Sequence, residues 1–352
     1  GGGSLELVRL SQGRITDTAS LPIGTIRLGE RAEGDATRAR AIAEAELKSV
    51  PWLGATPLKD LFLVGGTFRA LARIHIVQTG YPLNIVHHYA IRREEARDLA
   101  GVIMNAPRKS LERIPAAPTK RLADLPFAAV VMRRLLRASG AARVVFSANG
   151  LREGWYAQRL PPREREEDPL LAAAREIAQR NGRDMGLPPA LLRWLEPLAE
   201  EAEADSALRA AACWISDSGS RDHPEYRAEQ AFLRLLRLHG VGLDHHARAY
   251  LALVAALRYE ADPLAPFLAP ARLLLSAATT RRAETLGAAL RLGYTLSGGV
   301  PSLLEATRLE RRGQRLVLRL AQGAGVFAGE SVLRRLDALA VALGLEASLE
   351  VE

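Results

Sequence analysis

Gly1-Gly2-Gly3-Ser4-Leu5-Glu6-Leu7-Val8 is a glycine turn that feeds a strand. Three residues without Cβ atoms can turn successive backbone N–H groups toward an anion, forming a concave nest for phosphate oxygens, and Ser4 adds a hydroxyl donor. From Ser4 onward the pattern has period two. A strand here buries Leu5 and Leu7 and presents Ser4 and Glu6 together on the opposite face. A carboxylate beside a phosphate nest repels the anion unless a cation or water intervenes, so Glu6 is a candidate ligand for Mg2+ or for an attacking water. The same octamer also reads as a tight glycine turn, or an expression-linker remnant, ahead of an ordinary strand.

Moving outward, Ser11-Gln12-Gly13-Arg14 marks a hairpin turn, and Ile15 to Leu28 is expected to return as strand, broken at Pro22 and Gly24. Phe62-Leu63-Val64 is a short apolar strand that stops at Gly65-Gly66-Thr67 and passes into a helix, Phe68 to Gln78. The free N–H groups at such a helix start point toward the glycine turn, which suits a phosphate. A helix from Arg121 to Ser139 precedes a strand, Val144-Val145-Phe146, that ends in Ser147-Ala148-Asn149-Gly150-Leu151-Arg152-Glu153-Gly154. Three strand-and-loop junctions of similar construction result, and in open α/β sheets ligands gather at the carboxyl ends of strands.

Leu160 to Pro169 is proline-flanked and densely charged, and it reads as a linker with a domain boundary near 163. From there to about 310 the periodicity is helical: Leu170 to Asn181, Pro189 to Ala199, Ala204 to Trp214, Ala228 to His239, Ala247 to Glu260 and Arg281 to Leu292. Arg315 to Leu320 alternates as a strand, Glu330 to Leu343 is an amphipathic helix stopped by Gly344, and Ala347 to Val351 is a last strand. The expected division is 1–162, 163–310 and 311–352.

With 352 residues, 48% hydrophobic and 25% charged, the composition is that of an ordinary globular protein of more than one domain. No apolar run approaches the roughly 18 residues needed to span a bilayer, and a cytoplasmic location is expected. The one cysteine, Cys213, excludes an internal disulfide framework. A net charge of +8 suits a polyanionic substrate without identifying one, since arginine-rich coding bias produces the same excess.

The order GGGSLELV, SLPIGTIRL, VGGTFRALARIH, YPLNIVHHYAI, SANGLREGW resembles the exopolyphosphatase/guanosine pentaphosphate phosphohydrolase (Ppx/GppA) family. The helical half, with CWISDSGSRDHPEYRAEQAF and DHHARAYLALVAALRYE, is similar to the helical domain of bacterial exopolyphosphatases. The resemblance implies the second RNase-H-like lobe of an actin-like ATPase fold over 1–162, an HD-like helical domain, and a small C-terminal α+β appendage. It implies Mg2+-dependent hydrolysis of the terminal phosphate of inorganic polyphosphate, in a cleft shared with an N-terminal lobe that the chain is expected to lack. Guanosine pentaphosphate hydrolysis and non-catalytic polyphosphate or nucleotide binding are the alternatives. A homodimer is implied, with no membrane and no specific nucleic acid as partner.

By the same resemblance, Gly1, Gly2, Gly3 and Ser4 fall on the phosphate turn and Glu6 on a catalytic, Mg2+-binding acid. Gly65, Gly66, Thr67 and Arg69 fall on the second glycine corner, and Arg152 and Glu153 on a loop facing the substrate chain. Leu5 replaces the more usual Thr, on the face expected to be buried.

Other chemistry-bearing residues have plainer readings. His87 and His88 are adjacent in an expected strand, where side chains point to opposite faces. Asp244 precedes a helix and suits an N-cap better than an HD metal pair with His245 and His246. Ser216-Asp217 stands where a histidine-aspartate dyad would lie, so a dimetal centre is not expected. Cys213 sits among apolar residues and is assigned no chemistry.

Overall fold

The structure is a computed structural model that describes residues 1–352 apart from 115, 200–202, 241, 322, 324–327 and 352, with 203–205 described by backbone alone. It divides into two compact units, Gly1–Leu160 and Pro161–Glu352.

In the first unit β1 (Leu5–Ser11) and β2 (Arg14–Leu21) form an antiparallel hairpin, with Leu5 opposite Leu21. Gln12 and Gly13 make its turn with φ of 49° and 74°, the handedness that matches the twist of paired strands. Leu5 and Leu7 are buried while Glu6 is exposed, following the period-two pattern. The returning strand ends at Leu21, not Leu28. Thr25–Arg31 is a helix, because its first N–H groups find acceptors: Thr25 donates to the Gly1 carbonyl at 3.1 Å, and Ile26 and Arg27 donate to the Gly2 carbonyl at 3.0 Å.

A second sheet contains β3 (Asp60–Val64), β4 (Tyr89–Arg92) and β5 (Arg143–Ser147) in the order β3-β5-β4. β3 and β5 are parallel and Val64 pairs with Ser147, so the carboxyl ends of these strands lie side by side. β4 runs antiparallel to β5. The Leu125–Ser139 helix forms the centre of the core, burying Val130, Val131, Met132 and Leu135 against the Arg93–Asn105 and Ala36–Lys48 helices. Each such side chain stabilises the unit by about 1.5–3 kcal/mol relative to exposure.

The second unit is built around the His245–Arg258 helix, buried along almost its whole length. Around it pack the Glu203–Ile215, Arg227–Leu236, Ala269–Leu274 and Ala277–Ser297 helices. Asp244 caps the central helix, accepting from the Ala247 N–H at 2.7 Å, as a capping role requires. β6 (Thr307–Arg312), β7 (Arg315–Leu320) and β8 (Glu346–Val351) form a sheet ordered β6-β7-β8, so its first strand begins ahead of residue 311. β7 and β8 are parallel, joined through the Glu330–Leu343 helix, which ends at Gly344 with φ of 68°. No helix among the described residues is long and apolar enough to cross a membrane.

Candidate anion-binding corners

The foot of β1 is an open corner. Gly1 and Gly2 turn their carbonyls to the Thr25–Arg31 helix, while the N–H groups of Gly2, Gly3 and Ser4 make no hydrogen bond among the described residues. Gly24 permits this close approach, since a Cβ there would lie 2.6 Å from the Gly1 carbonyl oxygen. Ser4 and Ser20 both donate to Glu6 Oε1, at 2.7 and 2.8 Å, and Oε2 makes no hydrogen bond among the described residues. These two hydroxyls hold the Glu6 carboxyl below its ordinary pKa, so it stays ionised and exposed. A carboxylate of this kind orients a cation or a water better than it accepts a proton.

The second corner lies at the end of β3. Gly65 adopts φ of 131°, a conformation that favours glycine, and opens the Gly66–Gln78 helix without a side-chain cap. Arg69 Nη1 donates to the Ala148 carbonyl at 2.6 Å, tying this corner to the loop after β5.

An arginine that sequence reasoning missed stands at each open corner. Arg121 Nη1 donates to Thr67 Oγ1 at 3.3 Å, and a Cβ on Gly66 would lie 2.7 Å from the same Nη1. Arg27 Nη2 lies 3.8 Å from where a Gly3 Cβ would stand. Neither guanidinium forms an ion pair among the described residues. A cation beside the positive end of a helix is unfavourable unless an anion joins them. No local pattern could have revealed Arg121, which is 54 positions from Thr67.

The third junction is closed. The Ala148 N–H donates to His87 Nδ1 at 3.3 Å, Asn149 N–H to Ser147 Oγ at 3.1 Å, and Gly150 N–H to Glu153 Oε2 at 2.6 Å. The expectation of three similar junctions therefore fails, because side chains supply the acceptors a ligand would otherwise provide. Glu153 caps the exposed Leu151–Ala157 helix, and its two backbone hydrogen bonds hold its pKa below the ordinary value. Arg152 is exposed beside it, with no ion pair among the described residues. His87 and His88 precede β4 in a turn, with His88 at φ of 59° and rings 4.4 Å apart, so the expected strand alternation does not apply to them.

The structure thus joins Gly65, Gly66, Thr67, Arg69, Arg121 and the Ala148–Gly150 loop at one sheet edge. No hydrogen bond or ion pair among the described residues connects that group to Gly1–Glu6. No cluster of three or more histidine, cysteine, aspartate or glutamate residues able to hold a metal occurs among the described residues. Glu6, with Oε2 free of hydrogen bonds among the described residues, has the chemistry of sites that use one or two carboxylates and draw the remaining ligands from substrate phosphates and water.

Open backbone donors at glycine corners, each beside an arginine that forms no ion pair among the described residues, mark this α/β unit. Residues 1–162 match the Ppx/GppA phosphatase family, and residues 170–349 match the family described as exopolyphosphatase, C-terminal. The chain belongs to the Ppx/GppA phosphatase family. It is 30% identical over 201 residues to Retrograde regulation protein 2 of Saccharomyces cerevisiae, covering 50% of this chain and 34% of that protein. Two crystal structures of the Aquifex aeolicus Ppx/GppA phosphatase are similar. One has 22% identity and a TM-score of 0.40 over 46% of this chain and 55% of that one. The other has 23% identity and a TM-score of 0.39 over 44% and 52%. The chain therefore spans about a third of the yeast protein and about half of each solved chain.

Proposed function

We propose that the chain carries part of an exopolyphosphatase, a hydrolase that removes terminal orthophosphate from inorganic polyphosphate. In this reading Gly1–Leu160 is the second RNase-H-like lobe of an actin-like ATPase fold and the second unit is HD-like with a small α+β end. The observation that carries it is the pairing of open N–H groups with arginines that form no ion pair among the described residues, Arg27 at Gly3 and Arg121 at Thr67.

A phosphoanhydride terminus bears negative charge on each equatorial oxygen, so its hydrolysis is mainly positioning and charge neutralisation. The N–H groups of Gly2, Gly3 and Ser4 and the start of the Gly66–Gln78 helix bind phosphate oxygens. Arg27 and Arg121 close over them. Attack by water on the terminal phosphorus then breaks one P–O–P bond and releases orthophosphate. Glu6, kept ionised by Ser4 and Ser20, holds the metal or aligns the water. Mg2+, when bound there, supplies charge neutralisation to the leaving phosphate chain. Arg69 fixes the spacing of the corner, and Arg152 and Glu153 border the path of the chain. The enzyme works as a cytoplasmic homodimer in this reading, with guanosine pentaphosphate as the alternative substrate.

A second reading, a polyphosphate- or nucleotide-binding regulator without turnover, is favoured by the match to a protein named for retrograde regulation. The test is Mg2+-dependent orthophosphate release from long-chain polyphosphate and from guanosine pentaphosphate, by this chain and by the longest natural form of the protein. Release that collapses in Glu6→Gln supports the hydrolase. Polyphosphate binding without release in either form sinks it and leaves the regulator.

A further inference from the structure

The second unit contains a concentration of positive charge that its own carboxylates do not match. The central helix delivers Arg258 at its last position, where the residue is 8% exposed. Its guanidinium lies between the rings of Tyr259 and Tyr294, 3.9 and 3.7 Å from their centroids. The acid nearest to it is Asp217, at 3.6 Å. Asp217, itself buried, already accepts three bonds from Arg183: backbone N–H and Nε at 3.0 and 2.9 Å on Oδ2, and Nη2 at 2.9 Å on Oδ1. One carboxylate thus serves two guanidinium groups. Glu260 is shared in the same way between Arg291, at 3.1 Å, and Arg335.

Arg183, Arg227, Arg258, Arg291, Arg335 and Glu260 line a cavity of about 300 Å³. Arg227 has no ion-pair partner among the described residues and lies against the Tyr259 ring, 5.3 Å from its centroid. Among the described residues, five guanidinium groups here face two carboxylates, which leaves three positive charges unmatched. Burial pushes both phenols above their ordinary pKa, so Tyr259 and Tyr294 remain neutral and supply no countercharge. The Nε donors of Arg227, Arg258, Arg291 and Arg335 are buried without a hydrogen-bond partner among the described residues. Most buried donors in native proteins are satisfied, and four unmet ones lining one cavity call for water, an ion or a ligand there. The backbone accommodates the arrangement, since Gly299 has φ of 90° and a Cβ there would lie 2.7 Å from Arg183 Nη2.

We propose that this cavity binds a compact phosphate-bearing anion, either a short oligophosphate or a phosphate ester, at a site of its own within the second unit. The planar fork of arginine matches phosphate oxygens in pairs, and several unmatched charges call for a multiply charged ligand instead of a monocarboxylate. The volume lies at the small end for ligand pockets and suits a few phosphate groups. Asp217 is engaged by Arg183 and Arg258, in keeping with the expectation that no dimetal centre lies at this position, and the charge left over calls for an anion. This inference does not depend on the catalytic reading of the first unit.

The test is isothermal titration of the full chain with inorganic tripolyphosphate, orthophosphate and guanosine triphosphate at constant ionic strength, in Arg227→Gln, Arg291→Gln and Arg121→Gln variants. Both cavity variants are expected to weaken one binding event about tenfold or more, as loss of a charge-assisted hydrogen bond does. Arg121→Gln is expected to leave that event unchanged, with the ligand-free melting temperature of the cavity variants near the wild-type value. Tighter binding of tripolyphosphate identifies an oligophosphate site, and tighter binding of the nucleotide identifies an ester site. Absence of binding, or affinity equal to wild type in both cavity variants, overturns the proposal. Loss of turnover in Glu6→Gln with this binding event intact separates the two sites.

Discussion

Arg69 and Ala148, 79 positions apart in sequence, are joined by a 2.6 Å hydrogen bond from guanidinium Nη1 to backbone carbonyl. That bond spans the ends of two parallel strands and fixes how far apart their loops lie. Arg69 is therefore a strut between corners, whatever it contributes to a bound phosphate. Arg69→Ala is expected to destabilise the first unit by about 1–3 kcal/mol, since the bond involves a charged donor. Urea unfolding measures the loss, and faster amide hydrogen exchange at Asn149 and Gly150 localises it. Unchanged exchange there would refute the strut.

Two glycines are predicted to respond in opposite directions. Gly24→Ala places a Cβ 2.6 Å from the Gly1 carbonyl oxygen, where only backbone can yield, and is expected to cost about 1–3 kcal/mol. Gly154 sits in a helix, and a Cβ there would meet nothing within 4 Å. Gly154→Ala is expected to be neutral or to stabilise by up to about 1 kcal/mol. Thermal denaturation of both variants checks the pair.

His75 makes stability depend on pH. Burial holds its imidazole below the ordinary value of 6.5, with Nδ1 2.7 Å from the Tyr89 hydroxyl. The unfolded chain then binds the proton more readily than the folded one, so protonation favours unfolding. The contribution is complete above about pH 6.5 and is lost as pH falls below that value. Melting temperature is expected to decline from about pH 6.5 toward pH 5, and His75→Gln is expected to flatten the slope. An unaltered slope in the variant would assign the effect elsewhere.

Asp217→Ala removes the acid shared by Arg183 and Arg258. Arg258 is then a buried charge with no ion-pair partner among the described residues, and the expected cost is about 3–5 kcal/mol. Chemical denaturation of the second unit measures this. A change below about 1 kcal/mol would indicate that water reaches Arg258.

Local signals make much of the architecture legible. The β1 hairpin follows from period-two burial and the Gln12-Gly13 turn, and the central helix of the second unit from Asp244 as cap and a continuous apolar run. The helix at Ala36–Lys48 leaves little trace in the sequence because its buried face is Ala39, Ala43 and Leu47, too small to produce a strong apolar stripe. The Thr25–Arg31 helix reads as strand because its start depends on carbonyls contributed by Gly1 and Gly2. At the site, the glycines of both corners are visible as turns before or after strands. Arg27 and Arg121 are not, since their places are decided by contacts between distant segments, and the closed state of the Ala148–Gly150 loop is legible only in part, because Ser147 and Glu153 close it locally while His87 reaches it from 61 positions away.

The last sheet has a weakness in its construction. β7 is central only while β8 covers it, and beyond the β7–β8 ladder β8 is tied at its edge by Glu350, which reaches Arg319 at 3.1 Å and Arg312 at 3.3 Å. Fraying of that single strand uncovers a row of unpaired backbone groups along Leu316, Val317 and Leu318, a ready template for another chain. Concentrated salt, by screening the Glu350 pairs, is expected to turn a small ornament of the fold into a seed of aggregation.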